Sequence, residues 1–315
     1  MTTITGTRVL GLGHYQPTKV LTNDDLAAMV DTNDEWIRSR VGIRERHIAE
    51  KESVADMATA AAERALAASG RSTGDVDMIV VATCSAVDRV PNIACRVADR
   101  LGIDAPAAMD LNTACSGFSH ALAVADHAVR ASAATTAVVI GVEKLSDWTD
   151  WTDRSTCVLF GDGAGAVVVT GTEGAPEVGP VVWGSVPSMS DVVRIEASHP
   201  YIAQEGQTVF RWAITALAPL ARKAAETAGV DLADIKAFVA HQANLRIIEG
   251  IAKKLDAPDA IVATDVVESG NTSAASVPMA LSKLAAAGRI STGDPVLLFG
   301  FGGGLTYAGQ VVRCP

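Results

Sequence analysis

The feature that most constrains the fold of this chain is an internal repeat. Residues 53–69 predict a long helix that ends at Gly70 and precedes a buried strand, and the same order recurs with a helix over residues 212–228 that ends at Gly229. The two glycines are 159 residues apart, and the same shift relates two Asn-Thr pairs and two strands that end in glycine. Four landmarks at one offset, without an insertion, indicate a duplicated α/β unit.

The repeat predicts two similar halves, an N-terminal half over residues 1–170 and a C-terminal half over residues 171–315. Alanine-rich helices alternate in both with short Val/Ile-rich strands, which is typical of an α/β fold. Halves packed about a pseudo-twofold axis would bring equivalent strand ends together, so we expect the functional residues at that seam. Residues 185–207 have mixed composition and no clear period, and we expect them to cover the cleft.

Composition disfavours several classes of function. The net charge of −10 argues against a general affinity for nucleic acid or anionic membranes, and 49% hydrophobic residues predict a large core. No apolar run approaches the length of a membrane span, and the N-terminus lacks a signal-peptide pattern, so we expect a cytoplasmic protein. The five cysteines form no C-x-x-C pair, which favours reduced thiols over disulfides or a zinc site. We expect neither a metal nor a cofactor.

Residues 160–166 are rich in glycine, which leaves an anion cradle and a tight turn as alternatives. No lysine or helix start follows them, and the phosphate-binding pattern G-x-x-x-x-G-K-[ST] does not occur in the sequence. The stretch therefore predicts a tight turn beside the core.

Cys115 is the strongest candidate for a nucleophile. It lies among small residues, between an apolar run at residues 107–111 that predicts a strand and an alanine-rich stretch from Gly117 that predicts a helix. A cysteine at a helix N-terminus faces unpaired N–H groups and the positive end of the helix dipole, which lower the pKa of its thiol. The alternative is a buried cysteine that serves only as a small hydrophobe.

Three further positions fall at strand ends or turns, where side chains can enter a cleft. His241 follows a predicted strand, Asn271 lies in a Gly-Asn-Thr-Ser turn, and three glycines at residues 302–304 follow a buried strand. Each has an ordinary alternative, respectively a structural histidine, a helix cap and a plain turn. Glycine at the last turn lets a backbone N–H approach a reacting oxygen, because no Cβ intervenes.

Combined, these residues resemble the thiolase superfamily of condensing enzymes, and within it the 3-oxoacyl-acyl-carrier-protein synthase III (beta-ketoacyl synthase III) family. The resemblance covers essentially the whole chain, and no catalytic position departs from the family pattern. The motifs that carry it are Asp34-Glu35-Trp36-Ile37 with Gly42-Ile43-Arg44-Glu45-Arg46, Ala114-Cys115-Ser116-Gly117-Phe118, Phe160-Gly161-Asp162-Gly163-Ala164-Gly165, His241-Gln242-Ala243-Asn244, Gly270-Asn271-Thr272-Ser273 and Gly300-Phe301-Gly302-Gly303-Gly304.

The resemblance implies a thiolase-like, five-layered α-β-α-β-α fold, a homodimer, and an acyltransferase of fatty acid biosynthesis that condenses an acyl-coenzyme A primer with malonyl-acyl-carrier protein. Cys115 would attack the acyl thioester, and the N–H groups of Cys115 and Gly303 would hold the oxyanion. His241 and Asn271 would donate hydrogen bonds to the malonyl thioester carbonyl and stabilise the enolate that forms as carbon dioxide is lost.

The resemblance also implies two sets of binding residues around this centre. Trp36 would stack on the adenine of coenzyme A, with Arg154 on its opposite face. The other residues of the coenzyme A set are Thr32 and Arg40 for the nucleotide and Gln207 and Phe210 for the pantetheine channel, and the set for the acidic carrier protein is Arg211, Arg246, Lys253 and Lys254. The alternatives are a solvated helix face for the coenzyme A set and ordinary surface cations for the carrier-protein set.

Residues 86–91 resemble the family's loop that crosses the dimer to close the acyl pocket of the partner. Val90 stands where some members have phenylalanine, so we expect a pocket that admits a longer or branched primer. Other functions stay open: a starter-unit synthase or acyltransferase of a polyketide or other secondary-product pathway, a cysteine acyl hydrolase, and a catalytically silent subunit that binds carrier protein.

Overall fold

Two five-stranded sheets form the centre of the molecule, one from each half of the chain. The computed structural model describes residues 4–315. The first sheet contains, in spatial order, β1 (Gly6–Tyr15), β7 (Asp162–Thr172), β6 (Thr136–Lys144), β4 (Met78–Ala82) and β5 (Ala107–Leu111). The second contains β12 (Ile261–Val262), β11 (Ala237–Ala240), β13 (Pro295–Gly302), β14 (Thr306–Arg313) and β8 (Val182–Gly184).

Helices cover both faces of each sheet. The outer face of the first sheet packs against α3 (Val54–Ser69) and α4 (Ile93–Leu101). Between the sheets lie α5 (Gly117–Arg130) and α9 (Ser276–Ala286). The outer face of the second sheet packs against α6 (Gly206–Thr227) and α7 (Leu245–Leu255). The layers follow the order α-β-α-β-α, which confirms the five-layered α/β fold.

The remaining elements are short and lie outside these layers. Within residues 4–315, no helix combines the length and the apolar character that a membrane span requires. The short elements are β2 (Lys19–Thr22), α1 (Asn23–Ala27), α2 (Asp34–Val41) and β3 (Glu45–Ile48) after β1, the hairpin of β9 (Val193–Glu196) and β10 (His199–Gln204) before α6, and α8 (Val266–Ser269) before the Asn271 turn.

The repeat is visible in the positions of these elements. A shift of 159 residues carries the first residue of β4 onto that of β11, the first residue of β6 onto that of β13, and the first residue of α5 onto that of α9. In both sheets the two related strands pair in parallel, β4 with β6 and β11 with β13. The carboxyl ends of these strands therefore lie side by side, and they carry the turns of interest. The division of the chain at residue 170 stays a prediction.

The local sequence sets the ends of α3 as predicted. Ser53 caps its first turn, because Ser53 Oγ accepts the N–H of Asp56 at 3.2 Å while the Asp56 carboxylate accepts the N–H of Ser53 at 2.8 Å. Gly70 ends the helix at a φ of +67°. The buried face consists mainly of alanines, and it packs against the strands of the first sheet.

The prediction of a tight turn over residues 160–166 is wrong from Asp162 onward, because those residues belong to β7 in the middle of the first sheet. Glycine is required there by contact rather than by a turn. The helix α9 crosses β7 so closely that a Cβ on Gly165 would lie 2.6 Å from the backbone nitrogen of Met279. This approach between the two halves brings their seam together.

Candidate active site

A large cavity opens at the seam between the two halves. Its volume is about 1270 Å³, and its wall includes the carboxyl ends of strands from both sheets, residues of α6 and α7, and the β9–β10 hairpin. Of the segment 185–207, the part from residue 193 onward lines this cavity. Cys115, His241 and Asn271 all line this cavity, so the structure brings together three residues that are far apart in the sequence.

Cys115 lies in a single turn of 3₁₀ helix, Ala114–Ser116, directly before α5. Asn112 Oδ1 accepts the N–H of Ala114 at 3.1 Å and closes the turn, in which Ala114 has a φ of +47°. The N–H of Ser116 donates to the carbonyl of Thr113 at 3.3 Å. The N–H of Cys115 has no oxygen partner among residues 4–315, so it is free to bind an oxygen in the cavity.

Burial raises the pKa of the Cys115 thiol to about 11. The Ser273 hydroxyl and the N–H groups of Gly303 and Cys115 oppose this effect, while the nearby Glu143 adds to it. The expectation of a thiol ionised by its helix end is therefore wrong. Cys115 precedes α5 rather than lying in its first turn, where the dipole acts, and desolvation outweighs the favourable contacts. At neutral pH the resting residue is a neutral thiol.

The end of β13 lies directly against Cys115. A Cβ on Gly302 would lie 2.5 Å from the Cβ of Cys115 and 2.9 Å from its Sγ, so only glycine lets the two segments approach this closely. The N–H of the next residue, Gly303, lies close enough to the thiol to favour its ionised form. Two backbone donors thus converge beside the sulfur, where they can stabilise a negatively charged oxygen.

His241 follows β11 and is buried, with 2% exposure. Its Nδ1 lies 2.7 Å from Ser276 Oγ, which also accepts the N–H of Gln242 at 3.3 Å. Burial lowers the pKa of the imidazole to about 3, so the ring is neutral at neutral pH. We assign its hydrogen to Nε2, because the Ser276 hydroxyl can donate its own hydrogen to Nδ1. Nε2 is then a donor available to the cavity.

Asn271 is held on both sides of its backbone. Its N–H donates to the carbonyl of Leu159 at 2.8 Å, and its carbonyl accepts the N–H of Gly161 at 3.1 Å. Its side-chain Oδ1 accepts the N–H of Ser273 at 2.9 Å, which leaves the Nδ2 group as a donor to the cavity. Asn271 and His241 therefore offer two neutral donors to the same cavity.

Two residues that support this centre are not among those predicted from the sequence. Ser276 positions His241, and its only sequence signal is a small polar residue at a helix start. Glu143 is a buried carboxylate at the end of β6, bonded to residues of both halves. Its signal is an acidic residue in an otherwise apolar strand, and the pattern does not say where the carboxylate points.

The two side chains predicted to hold adenine are in direct contact with each other. The Arg154 guanidinium lies 4.3 Å from the centre of the Trp36 ring and donates to the backbone carbonyl of Asp31 at 2.9 Å. An adenine enters between them only after Arg154 moves away. Thr32 has a buried hydroxyl without a partner among residues 4–315. Of the residues predicted to bind coenzyme A, four line the cavity: Trp36, Arg40, Gln207 and Phe210.

The four cations predicted to meet the carrier protein are all exposed on α6 and α7. None of them forms an ion pair with a carboxylate in the described part of the chain. Arg211 and Arg246 also line the cavity, while Lys253 and Lys254 lie near the other end of α7. Their charge is thus available to an acidic partner beside the cavity entrance.

Val90 is 85% exposed and is absent from the cavity wall within residues 4–315, although its neighbours Val87 and Arg89 contribute to it. Within a single chain it therefore does not shape the acyl pocket. In the same described range, no cluster of three or more His, Cys, Asp or Glu side chains is arranged to hold a metal ion.

Comparison with known proteins agrees with this geometry. The family model for 3-oxoacyl-[acyl-carrier-protein] synthase III matches residues 109–187, and the model for its C-terminal part matches residues 225–314. A Streptomyces avermitilis protein named beta-ketoacyl-[acyl-carrier-protein] synthase III 2 is 64% identical, with the match covering 98% of this chain and 99% of the relative. The Aquifex aeolicus beta-ketoacyl-[acyl-carrier-protein] synthase III is 42% identical, with 98% and 99% covered.

Solved structures of related enzymes match this chain over nearly its whole length. The priming beta-ketosynthase from the R1128 polyketide biosynthetic pathway has a TM-score of 0.97 at 39% identity, covering 100% of this chain and 98% of that one. The 3-oxoacyl-[acyl-carrier-protein] synthase III from Aquifex aeolicus has a TM-score of 0.94 at 42% identity, covering 98% and 100%. The chain therefore belongs to the 3-oxoacyl-acyl-carrier-protein synthase III family of condensing enzymes.

Proposed function

We propose that this protein catalyses the decarboxylating condensation of an acyl-coenzyme A primer with malonyl-acyl-carrier protein, which gives 3-oxoacyl-acyl-carrier protein and carbon dioxide and initiates fatty acid synthesis. One observation carries the proposal: a thiol beside two free backbone N–H donors shares a cavity with two neutral side-chain donors, His241 and Asn271. A cavity of about 1270 Å³ suits a thioester with a long flexible arm.

In the first step the Cys115 sulfur attacks the acyl carbon of the primer. The new carbon–sulfur bond replaces the bond to coenzyme A, and the thiol proton leaves with the coenzyme A sulfur. The N–H groups of Cys115 and Gly303 stabilise the tetrahedral oxyanion between these two events. Because the pKa of the Cys115 thiol is about 11, loss of its proton is part of this step.

In the second step malonyl-acyl-carrier protein loses carbon dioxide and leaves an enolate. Its oxygen accepts hydrogen bonds from His241 Nε2 and Asn271 Nδ2, which stabilise the developing charge. A pKa of about 3 keeps the imidazole neutral over the physiological range, so the donor stays in one state. The enolate carbon then attacks the acyl carbon, the bond to Cys115 breaks, and the released thiolate takes up a proton from solvent.

The surface around the cavity supports the proposed substrates and partners. Coenzyme A would reach the cavity past Trp36 and Arg40, and the exposed cations of α6 and α7 would receive the acidic carrier protein. No cofactor takes part in this chemistry, and we place the enzyme in the cytoplasm.

A homodimer is part of the proposal. The strand β5 lies at the edge of the first sheet, and its residue Met109 is 38% exposed. In the loop between β4 and α4, Val87 and Val90 are 68% and 85% exposed. An unpaired strand edge beside exposed apolar side chains favours pairing with a second copy, which would bring Val90 to the acyl pocket of the partner.

The test is mass spectrometry of the intact protein after incubation with a panel of acyl-coenzyme A esters. We expect one acyl group on Cys115, and its loss as 3-oxoacyl-acyl-carrier protein when malonyl-acyl-carrier protein is added. Release as free acid without malonyl thioester would instead identify a cysteine hydrolase. An enzyme that uses acetyl-coenzyme A well and rejects isobutyryl-coenzyme A would contradict the role of Val90.

A starter-unit synthase of a polyketide pathway is the second candidate. The likeness to a priming beta-ketosynthase, at a TM-score of 0.97, favours it specifically. Both enzymes form an acyl-cysteine, so labelling does not separate them. Competition between carrier proteins of the two kinds of pathway, measured as the rate of malonyl decarboxylation with each, distinguishes the two functions.

A further inference from the structure

Glu143 is a carboxylate with no exposed surface, in a place where charge is costly. No Lys or Arg in the described part of the chain forms an ion pair with it. Burial raises the pKa of this carboxyl, and uncharged donors from both halves oppose that effect. The Oε2 atom accepts Ser85 Oγ at 2.6 Å and the N–H of Cys84 at 3.1 Å. The Oε1 atom accepts Ser273 Oγ at 3.0 Å and the N–H of Ala274 at 3.4 Å.

The repeat relates the position of Glu143 to a position beside Cys115. The shift of 159 residues carries Glu143 onto Gly302, and Cys115 onto Ala274. At one turn, Glu143 of the N-terminal half binds the N–H of Ala274 in the C-terminal half. At the other turn, Gly302 of the C-terminal half leaves the equivalent N–H of Cys115 without an oxygen partner among the described residues. Glu143 thus occupies, beside the Asn271 turn, the kind of position that an oxyanion would occupy beside the Cys115 turn.

Ser273 connects Glu143 to Asn271. Its hydroxyl donates to Glu143 Oε1, and its backbone N–H donates to Asn271 Oδ1 at 2.9 Å. One residue therefore transmits the position of the carboxylate to the amide that faces the cavity. The equivalent Asn112 in the other half is exposed and has no such anchor behind it.

We infer that Glu143 is a positioning residue for the decarboxylation step: it fixes the turn at Ser273 and Ala274, and through Ser273 it holds Asn271 Nδ2 toward the malonyl thioester oxygen. The inference rests on the proposed function, in which Asn271 is that donor. Because the carboxylate already binds the N–H of Ala274, the only unoccupied member of the two equivalent N–H groups is that of Cys115.

The test compares Glu143→Ala with Glu143→Gln in the full-length protein. Alanine removes every contact of the carboxylate. In glutamine the amide nitrogen can face the hydroxyls of Thr83 and Ser85, which can accept a hydrogen bond. The carbonyl oxygen then stays at the position of Oε1 for Ser273, Ala274 and the N–H of Cys84, which lies 3.3 Å from that atom. We expect Glu143→Ala to slow malonyl-acyl-carrier-protein decarboxylation at least tenfold in kcat, and acylation of Cys115 by less than threefold. Glu143→Gln restores decarboxylation to within threefold of wild type.

A double variant separates positioning from a general structural role. If Glu143 acts through Asn271, then Glu143→Ala adds less than threefold to the loss caused by Asn271→Ala. Multiplied losses in the double variant, or equal slowing of acylation and decarboxylation in Glu143→Ala, would overturn the inference.

A folded variant remains available if Glu143→Ala does not fold. Ser273→Ala removes the hydroxyl that donates to Glu143 and also favours the ionised form of the Cys115 thiol. Alanine adopts the same backbone at Ala114, where φ is +47° against +46° for Ser273. Acylation loses that one contact to the thiol, whereas decarboxylation loses the anchor of Asn271. We expect decarboxylation to slow more than acylation, and equal slowing overturns the inference. Wild-type protein that leaves malonyl-acyl-carrier protein intact overturns the proposed function together with the inference. The inference alone is overturned if the wild-type enzyme turns over normally and Asn271→Ala slows decarboxylation, but folded Glu143→Ala keeps the wild-type rate.

Discussion

The turn that carries Cys115 and the turn that carries Asn271 are built alike, yet different groups close over them. Each begins with an asparagine whose Oδ1 accepts the N–H two residues later, at 3.1 Å for Asn112 and at 2.9 Å for Asn271. Each continues through a left-handed residue, Ala114 at +47° and Ser273 at +46°. Each then leads through one 3₁₀ turn into a helix between the sheets.

The difference lies at the end of the neighbouring strand. Beside the Asn271 turn, the last residue but one of β6 is Glu143, whose carboxylate fills the space and binds the turn. Beside the Cys115 turn, β13 ends in Gly302, which leaves that space open. Duplication thus supplied two equivalent backbone sites. One side chain at the seam separates a site that holds a fixed carboxyl oxygen from one that can receive the oxygen of a substrate.

Cys115→Ala should have the largest effect on the difference between the two turns, because it gives the Cys115 turn the residue that the Asn271 turn has at Ala274. We expect no acyl mass on this variant with any acyl-coenzyme A ester, since no nucleophile remains. The matched control is Cys84→Ala, which removes a second cysteine from the wall of the same cavity and should still be acylated. Acylation of Cys115→Ala to the wild-type extent would show that the nucleophile lies elsewhere.

Gly302→Ala partly fills the open space of the first turn. Its Cβ would lie 2.5 Å from the Cβ of Cys115, so β13 and the thiol must separate. We expect the acylation rate to fall about 100-fold, the scale for loss of a donor from an oxyanion site. Gly74→Ala is the control, because its Cβ would meet no atom closer than 3.7 Å. A rate for Gly302→Ala within threefold of the control would contradict the assigned geometry.

Asn271→Ala removes the donor of the second turn, and His241→Ala removes the donor that follows β11. Each should leave acyl labelling of Cys115 in place and reduce malonyl decarboxylation by about 100-fold, because each deletes one hydrogen bond to the enolate oxygen. The two rates are measured separately, by intact mass and by release of carbon dioxide. Loss of labelling in both variants would refute the division of roles between the turns.

The dependence on pH should differ between the two steps. The Cys115 thiol has a pKa of about 11, so its acylation rate should rise with pH from 6 to 9, by up to about tenfold per unit, without a plateau. His241 has a pKa of about 3, so it stays neutral and decarboxylation should not decline as pH falls from 7 to 5. Single-turnover rates of each step provide the measurement. A plateau in acylation below pH 8 would indicate an ionised resting thiol.

Much of this arrangement could be predicted from the sequence because it depends on periodicity and on local signals. The common offset of the two halves predicted the repeat, and the Ser53 cap with Gly70 predicted the bounds of α3. The same offset placed Cys115 and Asn271 at equivalent turns, and hence at one seam. These features are encoded in residues close to the position that they determine.

Features that depend on distant contacts were not predictable in the same way. The glycines of β7 predict a turn, because the sequence around them does not reveal that α9 crosses the strand. The raised pKa of Cys115 depends on how completely the surrounding chain excludes water. Glu143 bonds to Ser273, 130 residues away, and no local pattern indicates such a partner.

The resting contact between Arg154 and Trp36 has a consequence for how the nucleotide is recognised. Under the proposed function, one face of the indole is already covered by the guanidinium before coenzyme A arrives, and an adenine that enters between them replaces one stacked contact by two. The net gain is therefore about one stacked contact, less than an uncovered indole and a free guanidinium would provide. The base then contributes less selectivity, and the length of the arm that delivers the thioester to the sulfur contributes more.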